Sequence, residues 1–343
     1  MSEHNGTLSQ RVHAPDTVTI PSHPDIATWR PATTDDIEIL LELHLAIGPV
    51  DHPEFVVSRE DVADDFADES IDMALDSLLG FTADGVLVAN AEVSLHPDHS
   101  TRIQSHIGGG VHPEWRGRGI GSVLLEWAQQ RSQQQLASLD LDLPGWSMGY
   151  VDERNADGKQ LFADAGFRVA RYFTHMQRVL ADEIPVLPSP AGLRVIGYTP
   201  EYSDRTRRAR NDSFRDHWGS LATPAERWEQ FVGGPRFRND LSIIAVDEND
   251  DVVGFVLTEV DEEDWAAQGF TGGYIALVGI VRSARGKRLA PVMLSEALRR
   301  QQSAGYERAT LEVDTESPTG ALGLYERIGF TATTREVAFV REY

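Results

Sequence analysis

The chain carries two landmarks twice, in the same order. Arg116-Gly-Arg-Gly-Ile-Gly121 leads into SVLLEWAQQ, and Arg285-Gly-Lys-Arg-Leu-Ala290 leads into PVMLSEALRR, with the two arginines 169 residues apart. Leu161-Phe-Ala-Asp-Ala-Gly-Phe167 matches Leu324-Tyr-Glu-Arg-Ile-Gly-Phe330 at a separation of 163. Two matched landmarks at nearly one spacing mark an internal duplication, so one half must be able to adopt the fold of the other. A length of 343 residues fits two domains. The seam is Ile184-Pro-Val-Leu-Pro-Ser-Pro190, where three prolines remove donors and favour extended chain. The expected division is a flexible tail over 1–27, with Pro15, Pro21 and Pro24, a first domain over 28–181, a linker over 182–191 and a second domain over 192–343.

Periodicity places the landmarks on elements. Leu78–Ala83 and Gly85–Ser94 read as strands across an Ala83-Asp-Gly85 turn. Ile103–Val111 is an extended run closed by His112-Pro113. Val123, Leu124, Trp127 and Ala128 fall at helical spacing within a helix over about 122–135. Strand Ser147–Val151 follows, then a helix over about 157–165 stopped by Gly166. The second half repeats the order. Leu241–Val246, Val252–Val260, Tyr274–Val281 and Arg308–Val313 read as strands, and Ala290–Ala304 and Thr319–Ile328 as helices. Each half is a mixed α/β unit.

Composition narrows the function. The net charge of −23 argues against a protein that grips nucleic-acid phosphates. Without cysteine there is no disulfide, zinc-thiolate site or cysteine nucleophile, and the scattered histidines do not suggest a metal. No apolar run approaches the roughly 18 residues that span a bilayer, and the N-terminus lacks a signal-peptide pattern, so a cytoplasmic protein is expected. The acidity is concentrated. Between Asp35 and Asp76 there are 14 acidic residues against Arg59 alone. Such a run is either a solvated helical face or a field that attracts a cationic substrate.

A strand, a glycine-rich turn and a helix form an anion site, because the first N–H groups of a helix have no internal partner and the dipole favours negative charge. Glycine permits close approach and positive φ. Gly117, Gly119 and Gly121 would give that access while Arg116 fixes the loop. Neither G-x-G-x-x-G nor G-x-x-x-x-G-K-[ST] is present, and the turn follows a late strand rather than the first.

Val111-His-Pro-Glu-Trp-Arg-Gly-Arg-Gly-Ile-Gly121 resembles the pyrophosphate signature V-x-P-x-x-R/Q-x-x-G-x-G/A of the GNAT superfamily of acyl-CoA-dependent N-acyltransferases, matching at Val111, Pro113, Arg116, Gly119 and Gly121. Asn155 and the Leu-Phe-x-x-x-Gly-Phe ending at Phe167 resemble its second signature. The tandem arrangement is similar to that of mycothiol synthase-like actinobacterial two-domain acetyltransferases. The resemblance implies two tandem domains, each a mixed, mostly antiparallel sheet flanked by helices. It implies acetyl-CoA as co-substrate, no metal, and direct transfer of an acetyl group to a primary amine. It places the coenzyme on Gly110, Val111, Arg116–Ser122 (that is, Arg116, Gly117, Arg118, Gly119, Ile120, Gly121 and Ser122) and Asn155. In the second copy it places it on Ile280, Val281, Arg285, Gly286, Lys287 and Ala290.

The copies depart from the pattern in complementary ways. The family tyrosine, general acid for the leaving thiolate, is Phe162 in the first copy and Tyr325 in the second. A phenyl ring donates no proton. The second loop has Arg288 where the family has glycine, and a Cβ there should obstruct close approach if φ is positive. Ser317 replaces the asparagine. Candidate bases are Glu92 and His106 in the first copy, and Glu259 and Tyr274 in the second. Tyr274 takes the place of a glutamate in the mycothiol synthase pattern, which speaks against that acceptor. Asp212, Asp216, His217 and Trp218 could line a second acceptor pocket. The expectation is an N-acetyltransferase with one working domain and one degenerate partner, acting on an amine that is cationic if the acidic stretch faces the site. The rival is a non-catalytic acyl-CoA-binding protein. Fused copies mimic a dimer, so a monomer or weak dimer is expected.

Overall fold

The structure is a computed structural model that describes residues 6–343 except 54, 69, 216, 318 and 319. It has two compact units. One comprises the residues up to Arg171 together with Glu336–Tyr343, and the other Tyr172–Arg335.

The first unit opens with α1 (Leu8–Arg11), β1 (Thr28–Arg30), α2 (Ile37–Asp51), α3 (Arg59–Ala67) and α4 (Met73–Asp76). Then come β2 (Ser77–Phe81), β3 (Leu87–Leu95), β4 (Ile103–Val111), α5 (Ile120–Ala137), β5 (Gly145–Asp152) and α6 (Ala156–Asp164). β6 (Arg168–Val179) leaves this unit and runs into the second. There it is followed by β7 (Arg194–Gly197), α7 (Ser203–Ser213), α8 (Ala225–Gly233), β8 (Ile243–Val246), β9 (Val252–Glu259) and α9 (Asp264–Gln268). β10 (Gly272–Ile280), α10 (Leu289–Ser303), β11 (Arg308–Asp314) and α11 (Ala321–Arg327) complete that half, and β12 (Thr331–Glu342) returns to the first unit.

Each unit has the same sheet. In the first, β1, β2, β3 and β4 pair antiparallel, β4 pairs parallel with β5, and β5 pairs antiparallel with β12. In the second, β7, β8, β9 and β10 pair antiparallel, β10 pairs parallel with β11, and β11 pairs antiparallel with β6. The mixed, mostly antiparallel sheet expected for each copy is what forms. The sixth strand of each sheet, however, comes from the other repeat. The Pro-rich 182–191 segment is therefore not where the compact units divide. Both repeats end in a strand suited to the same edge, so sequence pattern leaves the choice of partner open.

Helix faces follow the apolar spacing. Leu40, Leu43 and Ile47 of α2 are buried with Leu79 and Phe81 of β2, and Val62 of α3 joins them. In the second unit α10 buries Leu289, Met293, Leu294, Ala297 and Leu298 against Ile275, Leu311 and Val313. On another cluster, Trp228 and Ala209 pack on Ile244, Phe255 and Leu257.

The 1–27 tail is corrected over its described part. Leu8 (0% exposed) and Val12 (4%) pack with Ile103 and Leu136. Gly145 makes the room, since a Cβ there would lie 2.5 Å from Leu8 Cδ2. One apolar i, i+4 pair does this docking, too small a signal to stand out from a polar, Pro-bearing segment.

Candidate functional site

In the first unit the parallel ladder between β4 and β5 runs from Ile103↔Gly145 to His106↔Met148 and stops. Beyond it Ile107–Val111 pairs only with β3 on its other side. The strands thus part at the start of the Gly108-Gly-Gly110 run. A Cβ on Gly109 (φ 124°) would sit 2.2 Å from the Asn90 carbonyl oxygen, and one on Gly110 would sit 2.9 Å from Ile47 Cδ1. The Gly110 N–H donates to Asn90 Oδ1 at 3.1 Å, so this donor is already held by the protein. The second unit opens earlier. Its parallel ladder ends at Tyr274↔Thr310, and the β9–β10 register shifts between Ile275 and Leu277.

The expected phosphate loop follows β4. Gly117 (φ 72°) and Gly119 (φ 90°) are both left-handed, and Gly119 caps α5. Nothing lies within 4 Å of a Cβ built on Gly117. The N–H groups that begin α5, at Ile120 and Gly121, are beyond the reach of intrahelical carbonyls, as in any helix. Ser122 N bonds the Gly119 carbonyl at 3.1 Å, which tightens the first turn. The Ile120 side chain is buried. Arg116 Nε donates to the Val111 carbonyl at 3.0 Å, and both outer nitrogens reach Asp51 at 2.8 Å. Asn155 Nδ2 donates to the same carboxylate at 3.0 Å while Asn155 Oδ1 accepts from Gly158 N, capping α6. Arg116 and Asn155 therefore brace the loop through Asp51. Arg118 is folded back, its guanidinium 4.6 Å from the Trp115 ring centroid and bonded to the Glu114 carbonyl.

The second loop keeps the same backbone shape with different side chains. Gly286 (φ 79°) corresponds to Gly117, and Arg288 (φ 60°, ψ 31°) caps α10 in the left-handed conformation that Gly119 uses. For a non-glycine residue this costs about 1–2 kcal/mol. The feared obstruction is thus confined to the side chain, since the turn itself forms. Arg285 bonds carbonyls, those of Ile280 and Ser213. Val281 N bonds the Val253 carbonyl, Lys287 is exposed, and Ala290 lies in the first turn of α10.

The acid–base candidates separate by environment. Phe162 packs between Phe167 and Phe339, with centroids 5.1 and 5.3 Å away. Tyr325 is 7% exposed among Ile328 and Phe330, and burial raises its phenol pKa, keeping it protonated. Glu92 on β3 is pushed up to about 8 by burial and by the charges of Asp65, Asp68 and Asp76. Asp65 itself is pushed up to about 6 by burial and by Asp61, Asp68 and Asp64. His106 stacks on Tyr150 with centroids 6.3 Å apart. Burial raises Glu259, with Arg236 opposing.

The acidic stretch is less free than its composition suggests. Asp36 is bonded to Arg30, Asp51 to Arg116, and Asp76 to Arg131. What remains near Glu92 is the group on and after α3. In the expected second acceptor pocket, Asp212 accepts the Arg282 N–H at 3.1 Å and His217 Nδ1 lies 3.0 Å from Ser220 Oγ. The Trp218 ring meets Phe173 at 6.0 Å. Asp216 and Thr319 lie outside the described residues. One pair escaped the sequence reading, His175 Nε2 with Glu312 Oε2 at 3.1 Å. His175 reaches Glu312 because β6 crosses to the second unit. No spacing within one repeat signals that pairing.

Among the described residues no group of three or more His, Cys, Asp or Glu is placed to hold a metal ion, and no helix is long and apolar enough to cross a membrane.

Residues 43–145 and 203–330 match the family model described as acetyltransferase (GNAT) family. A protein of Salinispora arenicola named mycothiol acetyltransferase is 30% identical over 267 residues, covering 76% of this chain and 79% of the relative. Its namesake in Salinispora tropica is 29% identical over 266 residues, covering 75% and 79%. Among solved structures, a GCN5-related N-acetyltransferase from Sphaerobacter thermophilus superposes with a TM-score of 0.72 at 24% identity, covering 94% of this chain and 97% of the other. A tandem GNAT protein from the clavulanic acid biosynthesis pathway does so with 0.67 at 17%, covering 92% and 98%. These two likenesses concern the fold.

Proposed function

Because the chain belongs to the acetyltransferase (GNAT) family, we propose that it is an acetyl-CoA-dependent N-acetyltransferase acting on a primary amine, with the coenzyme in the first unit and the second unit as its degenerate partner. One observation carries the placement. The first loop has glycine at both left-handed positions and a charge-assisted brace of Arg116 on Asp51, where the second has a strained Arg288 and an arginine held by carbonyls. Charge-assisted pairs are roughly twice as strong as neutral ones.

In this reading Glu92 takes the proton of the acceptor ammonium. A base with a value of about 8 is matched to that task near neutral pH. The neutral amine then attacks the thioester carbonyl, and the C–S bond breaks as the N–C bond forms. Phe162 offers no proton, so the surplus proton that the nitrogen carries after the attack passes through water to the departing thiolate, giving the amide and the free thiol. Asp61, Asp65 and Asp68 favour a cationic acceptor. The relatives' name would make the acceptor that of a mycothiol acetyltransferase, but Tyr274 departs from that pattern.

A second reading has its own observation. The second unit keeps the left-handed cap, a bulged β10 and the phenol of Tyr325, and it could carry the transfer with Glu259 as base. Calorimetric titration of acetyl-CoA into the wild type, Gly119→Arg and Arg288→Gly proteins decides between them. One site per chain that vanishes in Gly119→Arg supports the first unit, and binding that survives there moves the site to the second. Release of free thiol in the presence of cationic amines separates an enzyme from a coenzyme-binding protein.

A further inference from the structure

We propose that His23 is a positioning residue for the coenzyme pyrophosphate, setting the orientation of the peptide that caps α5. The inference rests on the first-unit placement of the coenzyme. His23 Nε2 lies 2.9 Å from the Arg118 carbonyl oxygen, and Asp25 N–H donates to His23 Nδ1 at 3.2 Å. An N–H aimed at Nδ1 needs a lone pair there. In the neutral ring the hydrogen is then on Nε2, which donates to Arg118.

The Arg118 carbonyl and the Gly119 N–H belong to one peptide unit. Among the described residues no peptide bond is cis, so the two point in opposite directions. Holding the oxygen on the His23 side aims the Gly119 N–H away from it, alongside the donors that begin α5. This peptide joins Arg118 to the left-handed Gly119, so its orientation is set by ψ of Arg118 and φ of Gly119, and glycine leaves the second of these free. Without the imidazole a peptide ending in a left-handed glycine can flip, and a flip would turn a carbonyl dipole toward the incoming phosphates. The imidazole also draws electron density from that oxygen.

His23 can act as a bracket because its segment is anchored on both sides. Upstream, Leu8 and Val12 are buried and the Pro15 carbonyl accepts from Gln134 Nε2 at 2.9 Å. Downstream, Ile26 is 6% exposed and Ala27 N–H bonds the Phe81 carbonyl at 2.8 Å. An isolated bridge between His23 and Ile26 closes the turn.

The test uses the full chain, with acetyl-CoA and S-acetylpantetheine as probes. The second keeps the thioester arm and lacks the pyrophosphate. His23→Ala is expected to weaken acetyl-CoA about five- to tenfold, the worth of one hydrogen bond, and to leave S-acetylpantetheine and the melting temperature unchanged. His23→Gln, whose amide can donate to the same carbonyl, should recover most of the loss. Unchanged acetyl-CoA affinity in His23→Ala overturns the inference. So does an equal loss for both probes, which would mark a structural role. If Gly119→Arg binds acetyl-CoA as the wild type does, the first-unit placement falls, and this inference with it. If Gly119→Arg abolishes binding while His23→Ala does not weaken it, this inference alone falls.

Discussion

The carboxylate of Asp51 takes both outer guanidinium nitrogens of Arg116 at 2.8 Å, joining the last residue of α2 to the loop before α5. The pair is three-quarters buried, so solvent screens it less than a surface bridge. Asp51→Ala should release Arg116 and Asn155 together. The expected result is a KM for acetyl-CoA raised about tenfold with kcat within a factor of about two, since the brace acts on binding rather than on the reacting atoms. Steady-state kinetics at fixed acceptor check it.

Asp76 is a different kind of acid. It is 4% exposed and bonded to Arg131 Nε at 2.6 Å and to Gln135 Nε2 at 2.9 Å, and Gln135 in turn accepts from Ser105 Oγ. Arg131→Met would leave that carboxylate buried without its cation, at a cost of about 3–5 kcal/mol. Adding Asp76→Asn to Arg131→Met should recover more than half. Urea unfolding of the single and double variants measures both.

The buried carboxyls near α3 give the protein a pH dependence of definite sign. Glu92 goes from 4.5 to about 8 and Asp65 from 3.8 to about 6 on folding. Between those values the folded chain binds more protons than the unfolded one. Their contribution to stability is therefore whole below the unfolded values and is lost as pH rises toward 8. Glu92→Gln should raise the melting temperature at pH 8.5 and leave it nearly unchanged at pH 4.5. If Glu92 is the base, wild-type kcat/KM should rise with pH up to about 8, and the variant should be slower by about 10²–10⁴ without that rise.

Arg288 and Gly119 share a conformation that suits only one of them. Arg288→Gly removes a left-handed strain of about 1–2 kcal/mol but adds unfolded-chain entropy of about 0.5–1 kcal/mol. The net expectation is a melting temperature higher by roughly 1–4 °C, read by calorimetry. Gly119→Arg is expected to fold with a left-handed strain at least as large, because α10 already carries an arginine at its cap, at φ 60° against 90° for Gly119. A Cβ on Gly119 meets only His23 Nε2, at 3.7 Å.

Much of this was legible because duplication supplied an internal control. The glycine loop, the strand before it and the helix after it sit where spacing placed them, and β4 spans the expected Ile103–Val111. The brace was half visible. Arg116 announced itself within the loop motif, but Asp51 lay hidden in an acidic run that composition treats as uniform. Position, not charge, separates Asp51 and Asp76 from the carboxylates near Glu92. The exchanged strands were illegible for a deeper reason. β6 and β12 end equivalent repeats, so either satisfies either sheet, and no residue pattern states which partner wins. The His175–Glu312 pair is a product of that choice.

Strand exchange makes a prediction that a simple two-bead arrangement does not. A chain cut in the 182–191 segment would leave residues 192–343 without β6, exposing the edge of β11 from Arg308 to Asp314. Residues 1–181 would likewise lack β12, exposing β5 from Trp146 to Asp152. Unpaired edges of this length are templates for association. Separately expressed halves should be insoluble or self-associated, because in each the home strand must fill the edge that its counterpart fills in the intact chain. Co-expressed halves should instead co-purify as a one-to-one complex with the melting temperature of the cut full chain. Soluble, monomeric halves with native circular dichroism would show that each repeat closes its own sheet, and that the exchange contributes little to stability. Size-exclusion chromatography with light scattering on the separate and mixed halves distinguishes the outcomes.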